Sequence, residues 1–269
     1  MKYLLLIAFV MLIGIITNIR SQTTGLSELA RYTTPTDSYG GCIDFTPYVH
    51  GFNPDHGPHP TPDVIDQLLD NLVEQTNFRC IVTYGVLNGL NHTFAAAKTR
   101  GLKVISVLWI STDDNVNRQS IQYGIENAFR YQDTIIGLSC GSELRVRVGK
   151  GAAEPNIVDC VDQLRAAQVT QPLTYIDTWW GWVDETMDAK PCVPFPYCAN
   201  AYRTWDLAEK LDWIGINVFP WWESKYGRDC YTESEAVTFH IEILKTIREL
   251  YPDKLVIMTE FGWPAGPSD

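Results

Sequence analysis

The chain has 269 residues, of which 45% are hydrophobic and 20% charged, the make-up of a folded globular protein and not of a disordered one. Asp and Glu outnumber Lys and Arg by 32 to 21, for a formal net charge of −11. That balance disfavours nucleic acid and anionic membrane as partners, since both reward clustered positive charge, and leaves a neutral polysaccharide compatible.

In chain order, residues 1–21 read as a secretory signal peptide. Lys2 gives a short basic start, Tyr3 to Ile16 form an apolar run, and Thr17, Asn18, Arg20, Ser21 and Gln22 follow as polar residues. The run is shorter than the roughly 20 apolar residues of a membrane span; an uncleaved signal anchor is the alternative. The expectation is a secreted protein, extracellular or at the cell surface, with no membrane contact once the signal is removed. Residues 22–38, rich in Thr and Ser, read as a polar N-terminal arm, and 39–269 as one barrel domain.

Beyond the arm, apolar strands alternate with amphipathic helices. Strands are predicted at Gly41–Phe45, Arg79–Tyr84, Lys103–Trp109, Ile135–Ser139, Leu173–Asp177, Trp213–Val218 and Leu255–Thr259. Helices are predicted at Pro62–Gln75, His92–Arg100, Arg118–Tyr131, Pro155–Thr170, Ala201–Lys210 and Glu233–Tyr251. Pro62 and Pro155 are read as first-turn prolines, and Val64, Ile65, Leu68, Leu69 and Leu72 recur at helical spacing. Strict alternation with apolar strands means a parallel sheet covered on both faces. A closed barrel takes eight strand–helix units and seven are visible. The predicted fold class is therefore α/β, a (β/α)8 TIM barrel truncated after the seventh strand. An open doubly wound sheet is the alternative, although no glycine-rich phosphate loop follows the first strand.

Seven cysteines fit an oxidising compartment, and their odd number leaves at least one unpaired. Cys42, Cys80 and Cys140 lie in apolar runs and read as buried free thiols. A loop disulfide is expected among Cys192, Cys198 and Cys230, with its pairing open. None has the spacing of a zinc site, and His50, His56 and His59 with Asp55 share a loop in which such spacing arises easily. No metal and no cofactor are expected. Asn91-His92-Thr93 is a glycosylation sequon.

Two segments carry the chemistry. Gly137–Glu143 (GLSCGSE) and Leu255–Pro264 (LVIMTEFGWP) are apolar runs that stop at a glutamate. A carboxylate directly after a buried strand is costly unless it faces a polar cleft, and barrel strand ends are where catalytic side chains sit. Two such glutamates suit glycoside cleavage with retention, in which an acid and a nucleophile stand about 5–5.5 Å apart across the bond. Glu143 fits the acid if burial and the Glu260 anion hold its proton.

The segments Thr259–Gly266 (TEFGWPAG), Gly141–Arg147 (GSELRVR), Phe78–Gly85 (FRCIVTYG) and Gly101–Trp109 (GLKVISVLW) resemble glycoside hydrolase family 17, the β-1,3-glucanases. The likeness runs from about residue 40 to the C-terminus and is closer to the fungal and bacterial glucosidase and glucanosyltransferase type. It implies a barrel with retaining chemistry on β-linked glucan, Glu143 as proton donor and Glu260 as nucleophile. The family usually has Asn before the acid, bonding the sugar 2-hydroxyl; Ser142 stands there, with a shorter reach and one donor. Further substrate-binding candidates are Tyr84 at the end of strand 2, Asp177 and Trp179 at the end of strand 5, Asn217 at the end of strand 6, and Trp263 beside Glu260. Trp179, Trp180 and Trp182 together form a candidate stacking platform.

The expected function is a monomeric retaining β-glucan hydrolase or β-1,3-glucanosyltransferase acting on polysaccharide or oligosaccharide. The alternatives are a non-catalytic glycan-binding protein derived from such an enzyme, and another barrel glycosidase acting on β-1,4 or mixed-linkage glucan.

Overall fold

A computed structural model describes residues 24–36, 40–49, 51–183, 207–223 and 232–262. Seven strands stand in one sheet in chain order: β1 (Cys42–Phe45), β2 (Cys80–Tyr84), β3 (Lys103–Val107), β4 (Ile135–Ser142), β5 (Leu173–Thr178), β6 (Trp213–Val218) and β7 (Leu255–Phe261). The pairs β1/β2, β2/β3, β5/β6 and β6/β7 are parallel. A doubly wound sheet reverses its strand order at a switch point; the sequential order 1 to 7 has none and is that of consecutive strands in a (β/α)8 TIM barrel. Every residue of β4 and β6 is buried, as the continuous apolar runs require of parallel strands covered on both faces.

The helices are α1 (24–33), α2 (Pro62–Gln75), α3 (His92–Thr99), α4 (Asp114–Arg130), α5 (Leu144–Val148), α6 (Lys150–Ala166), α7 (Leu207–Lys210), α8 (Pro220–Glu223) and α9 (Glu233–Leu250), with a 3-10 turn at Trp179–Trp182. Pro62 opens α2 and buries Ile65 and Leu69 behind it. Pro155, read as a helix start, lies inside α6, which begins at Lys150. The left-handed Gly149 (φ 79) separates α5 from α6, so the break falls earlier than the proline suggests. The polar arm contains α1, whose Leu29 is fully buried and whose Glu28 pairs with Lys103 at 2.6 Å.

By its contacts the chain divides into two compact units. One comprises the described residues of Met1–Leu108 with Arg118–Leu138 and Asp162–Leu173; the other comprises those of Trp109–Asn117, Ser139–Val161 and Thr174–Asp269. Each has a disulfide that corrects the free-thiol reading. Cys42 and Cys80 are direct partners in the β1/β2 ladder and bond to each other. Cys140 bonds to Cys160, tying β4 to α6. Parallel neighbours present their side chains on the same face, so a thiol pair 38 residues apart in sequence lies side by side in the sheet. The expected loop cysteines Cys192, Cys198 and Cys230 fall outside the described residues.

Candidate active site

The end of β4 is bent into an unusual backbone. Gly141 has φ +100, where an added Cβ would also lie 3.4 Å from Ile110. Two residues on, Glu143 is left-handed at φ 53, ψ 28, a state costing a non-glycine residue roughly 1–2 kcal/mol. It is held there by its own N–H, which donates to Ile176 O at 2.9 Å, and by its carbonyl, which accepts from Arg147 N at 3.3 Å. The strained position projects the glutamate beyond the strand, as functional side chains on distorted backbone commonly are.

Asn217 on β6 meets it. The Asn217 Nδ2 donates to Glu143 Oε1 at 2.9 Å and lies 3.5 Å from Ser142 Oγ. Its Oδ1 accepts from the Thr259 hydroxyl at 2.8 Å. That contact sets the amide so that its nitrogen, not its oxygen, faces the glutamate.

Glu260 reaches the same face through a bulge. The β6/β7 ladder runs Ile216 opposite Met258, then Asn217 opposite Glu260, skipping Thr259. Without the extra residue, Glu260 would stand opposite Val218 and its side chain would turn to the other face; bulges beside functional sites re-aim side chains in this way. Glu260 is half-buried. Three of the sequence-predicted residues, Ser142, Glu143 and Asn217, thus meet directly, and Glu260 stands beside Asn217 in the ladder.

A buried acid stands within electrostatic reach of the glutamate. Asp177 is fully buried, and its carboxyl carbon would lie 2.7 Å from a Cβ on Gly181. Burial pushes its pKa up to about 7 and the Glu143 charge adds to this, while the Thr178 N–H and the Tyr175 hydroxyl pull it down. Asp177 is thus no open sugar ligand. Trp179 is only 6% exposed and packs edge-on against Phe239 at 6.1 Å. The open face belongs instead to Trp180, at 37% exposure, whose ring is backed by the Arg145 guanidinium at 5.7 Å.

Arg145 is buried and donates to Gly181 O at 2.7 Å, pinning the turn that carries Trp180. Arg147 donates to Ser142 O at 2.7 Å and lies 4.6 Å over the exposed ring of Trp109. Burial holds its pKa below the usual arginine range, an effect countered by the Tyr175 hydroxyl and the Glu143 carboxylate. The short helix after Glu143 therefore fixes two exposed tryptophans of this unit.

Tyr84 belongs to the other unit, where its hydroxyl donates to Asp44 Oδ1 at 2.9 Å. Burial raises the Asp44 pKa to about 6, and the Tyr84 bond lowers it. Trp263 lies outside the described residues. Among the described residues no group of three or more His, Cys, Asp or Glu is placed to hold a metal ion, and no helix is long and apolar enough to cross a membrane.

Sequence reasoning missed Asp44, Arg145, Arg147 and Thr259 as parts of these arrangements. An acid inside the apolar strand Cys42–Phe45 was a signal for the first, and two arginines within four residues of Glu143 for the next pair. Thr259 carried none, because the bulge that gives it its role is not visible in the sequence.

Residues 42–269 match the family described as the BtgE/BtgC glycoside hydrolase domain. Among solved structures, the chain is similar to the glycoside hydrolase family 17 β-1,3-glucanosyltransferase from Rhizomucor miehei, at 17% identity and a TM-score of 0.60, over 83% of this chain and 71% of that one. An active-site mutant of that Rhizomucor miehei protein, in complex with laminaritriose, matches with the same values. Saccharomyces cerevisiae Gas2p, in complex with laminaritetraose and laminaripentaose, matches at 15% identity and a TM-score of 0.50, over 76% of this chain and 45% of that one. At these identities the likenesses show the fold. No curated protein matches the chain significantly.

Proposed function

The chain belongs to the BtgE/BtgC glycoside hydrolase family, and from that premise we propose that it is a secreted, retaining β-1,3-glucan hydrolase or glucanosyltransferase whose acid/base is Glu143 and whose nucleophile is Glu260. The observation that carries this reading is the Asn217 junction, which holds Glu143 by its side chain and has Glu260 as its ladder partner. The laminari-oligosaccharides bound by the Rhizomucor miehei mutant and by Gas2p support β-1,3-glucan as the substrate class. The two disulfides support export to an oxidising compartment.

In this mechanism Glu143 protonates the glycosidic oxygen while a Glu260 oxygen attacks the anomeric carbon. The leaving sugar departs with the proton and a glycosyl ester forms on Glu260. Glu143, now a carboxylate, then takes a proton from water or from an acceptor sugar hydroxyl, which displaces Glu260 and regenerates both groups. Asn217 donates to the Glu143 carboxyl throughout and sets its rotamer. It is only 1% exposed, so it positions the acid and does not bind sugar. Trp180 and Trp109 offer exposed flat faces on which glucose rings can stack.

The test is incubation with laminarin, lichenan and cellulose, with product anomers followed by NMR. Early β-anomer from laminarin supports the reading, and longer oligosaccharide products mark transfer to sugar. Release from cellulose alone moves the activity to β-1,4-glucan. A second reading, glycan binding without turnover, draws on Ser142, whose short and 94%-hidden side chain gives little to a sugar 2-hydroxyl (6% exposed). Binding of laminarin with no product, unchanged by Glu260→Gln, would favour it.

A further inference from the structure

Glu143 is the N-cap of α5 and makes no side-chain capping bond to it. The first N–H groups of a helix have no partner within it, and the side chain of an N-cap residue commonly accepts from one of them. A glutamate used that way would be turned back onto its own helix and away from substrate. Here the N–H of Arg145, the second residue of α5, donates instead to the hydroxyl of Tyr175 on β5, at 3.1 Å in a buried setting. The next residue of the same strand, Ile176, accepts from the Glu143 N–H through its carbonyl at 2.9 Å. Two adjacent residues of β5 therefore grip the chain at Glu143 and two residues beyond it.

The Tyr175 side chain is fixed from every direction the contacts reveal. It is fully buried, and its ring lies against Gly141, where an added Cβ would stand 3.6 Å from Cε2. Trp182 packs on the ring with centroids 6.1 Å apart. The hydroxyl proton goes to the Asp177 carboxyl, which leaves the phenolic oxygen to accept from the Arg145 N–H. We propose, on the reading of Glu143 as acid/base, that Tyr175 is a positioning residue for glycoside cleavage: its hydroxyl caps α5 in place of Glu143 and leaves the Glu143 carboxyl to Asn217 and the substrate. Without the hydroxyl the Arg145 N–H is a buried donor lacking its partner, a state that costs more than the bond itself contributed. The N-cap side chain is then the group placed to take that N–H, and taking it draws the carboxyl away from Asn217.

Tyr175→Phe keeps the ring and removes the hydroxyl. Thr174→Val is the control: Thr174 is the preceding residue of β5, and its buried hydroxyl donates to Trp213 O at 2.6 Å, so this variant loses a buried hydroxyl that does not cap α5. Full-length proteins are compared by amide NMR and by kinetics on laminarin. In Tyr175→Phe the Arg145 amide is expected to exchange about 10-fold faster than in the control, and the Asn217 side-chain amide resonances are expected to move. The value of kcat is expected to fall by about 5- to 10-fold with KM little changed, as for one lost neutral hydrogen bond. Thr174→Val is expected to keep the wild-type Asn217 resonances and kcat. Unmoved Asn217 resonances in Tyr175→Phe, or equal changes in the two variants, would overturn the proposal. If wild-type protein leaves laminarin intact, the glucanase reading fails, and the two amide readouts still decide whether Tyr175 holds Glu143. If the phenylalanine variant is not secreted, the wild-type Arg145 amide decides: protection equal to that of β4 and β5 supports the cap, and rapid exchange overturns it.

Discussion

The Asn217 side-chain nitrogen stands 2.9 Å from Glu143 Oε1, so a residue of β6 fixes the carboxyl at the end of β4. A hydrogen bond to a charged group is worth about 1.5–3 kcal/mol, equivalent to roughly a 10- to 100-fold effect on rate. Asn217→Ala is expected to lower kcat for laminarin by about that factor with little change in KM. Asn217→Asp sets a like charge against Glu143, favours its protonated form, and is expected to move the alkaline limb of the pH–rate profile upward. Steady-state kinetics across pH checks both.

Thr259 acts one step further out. Its hydroxyl lies 2.8 Å from Asn217 Oδ1 and 3.1 Å from Ile216 O. Thr259→Val keeps the shape and removes the donor; kcat is expected to fall by about 5- to 10-fold, the value of one neutral hydrogen bond. Thr259→Ser, which keeps the hydroxyl, is expected to retain most of the rate. Equal losses in the two variants would remove Thr259 from the positioning chain.

The tryptophans after β5 separate by burial. Trp180→Ala is expected to raise KM for long laminari-oligosaccharides by about 3- to 10-fold, matching the 0.5–1.5 kcal/mol of an aromatic contact, and to leave melting nearly unchanged. Trp179→Ala removes a buried ring packed on Phe239 and is expected to cost about 3–5 kcal/mol of stability. Calorimetry and oligosaccharide kinetics on the pair distinguish platform from packing.

Stability carries a pH signature. Asp177 has its folded pKa raised to about 7 and Asp44 to about 6, against an ordinary 3.8. Between those limits the folded state binds more protons than the unfolded one, so these two groups favour folding fully below pH 3.8 and lose that contribution as pH rises through 6 and 7. Melting temperature is therefore expected to carry a downward component from about pH 4 to pH 7. Asp177→Asn, neutral at every pH, is expected to flatten the upper part of that slope. A slope identical in the variant would show that Asp177 does not titrate in this window.

The strand order and the place of both glutamates were legible because they depend on local pattern: apolar runs of strand length, each ending in a charge that burial forbids. Two features were not. The Cys42–Cys80 bond depends on register between strands, and a run of apolar neighbours says only that each thiol is buried. The roles within the Trp179–Trp182 turn depend on which ring faces the core, and four adjacent residues in a tight turn carry no period to reveal it. Asp177 shows the same limit. Its place after a strand pointed to a cleft, yet Gly181 closes over its carboxylate.

The most direct test of the central claim is covalent trapping at Glu260. Wild-type protein is incubated with a 2-deoxy-2-fluoro-laminaribiosyl fluoride, which slows departure of the glycosyl group, and then digested and sequenced by mass spectrometry. The expected result is one added fluoro-laminaribiosyl mass on Glu260 and none on Glu143. A label on another carboxylate, or active protein that turns over laminarin and never acquires the label, would contradict it.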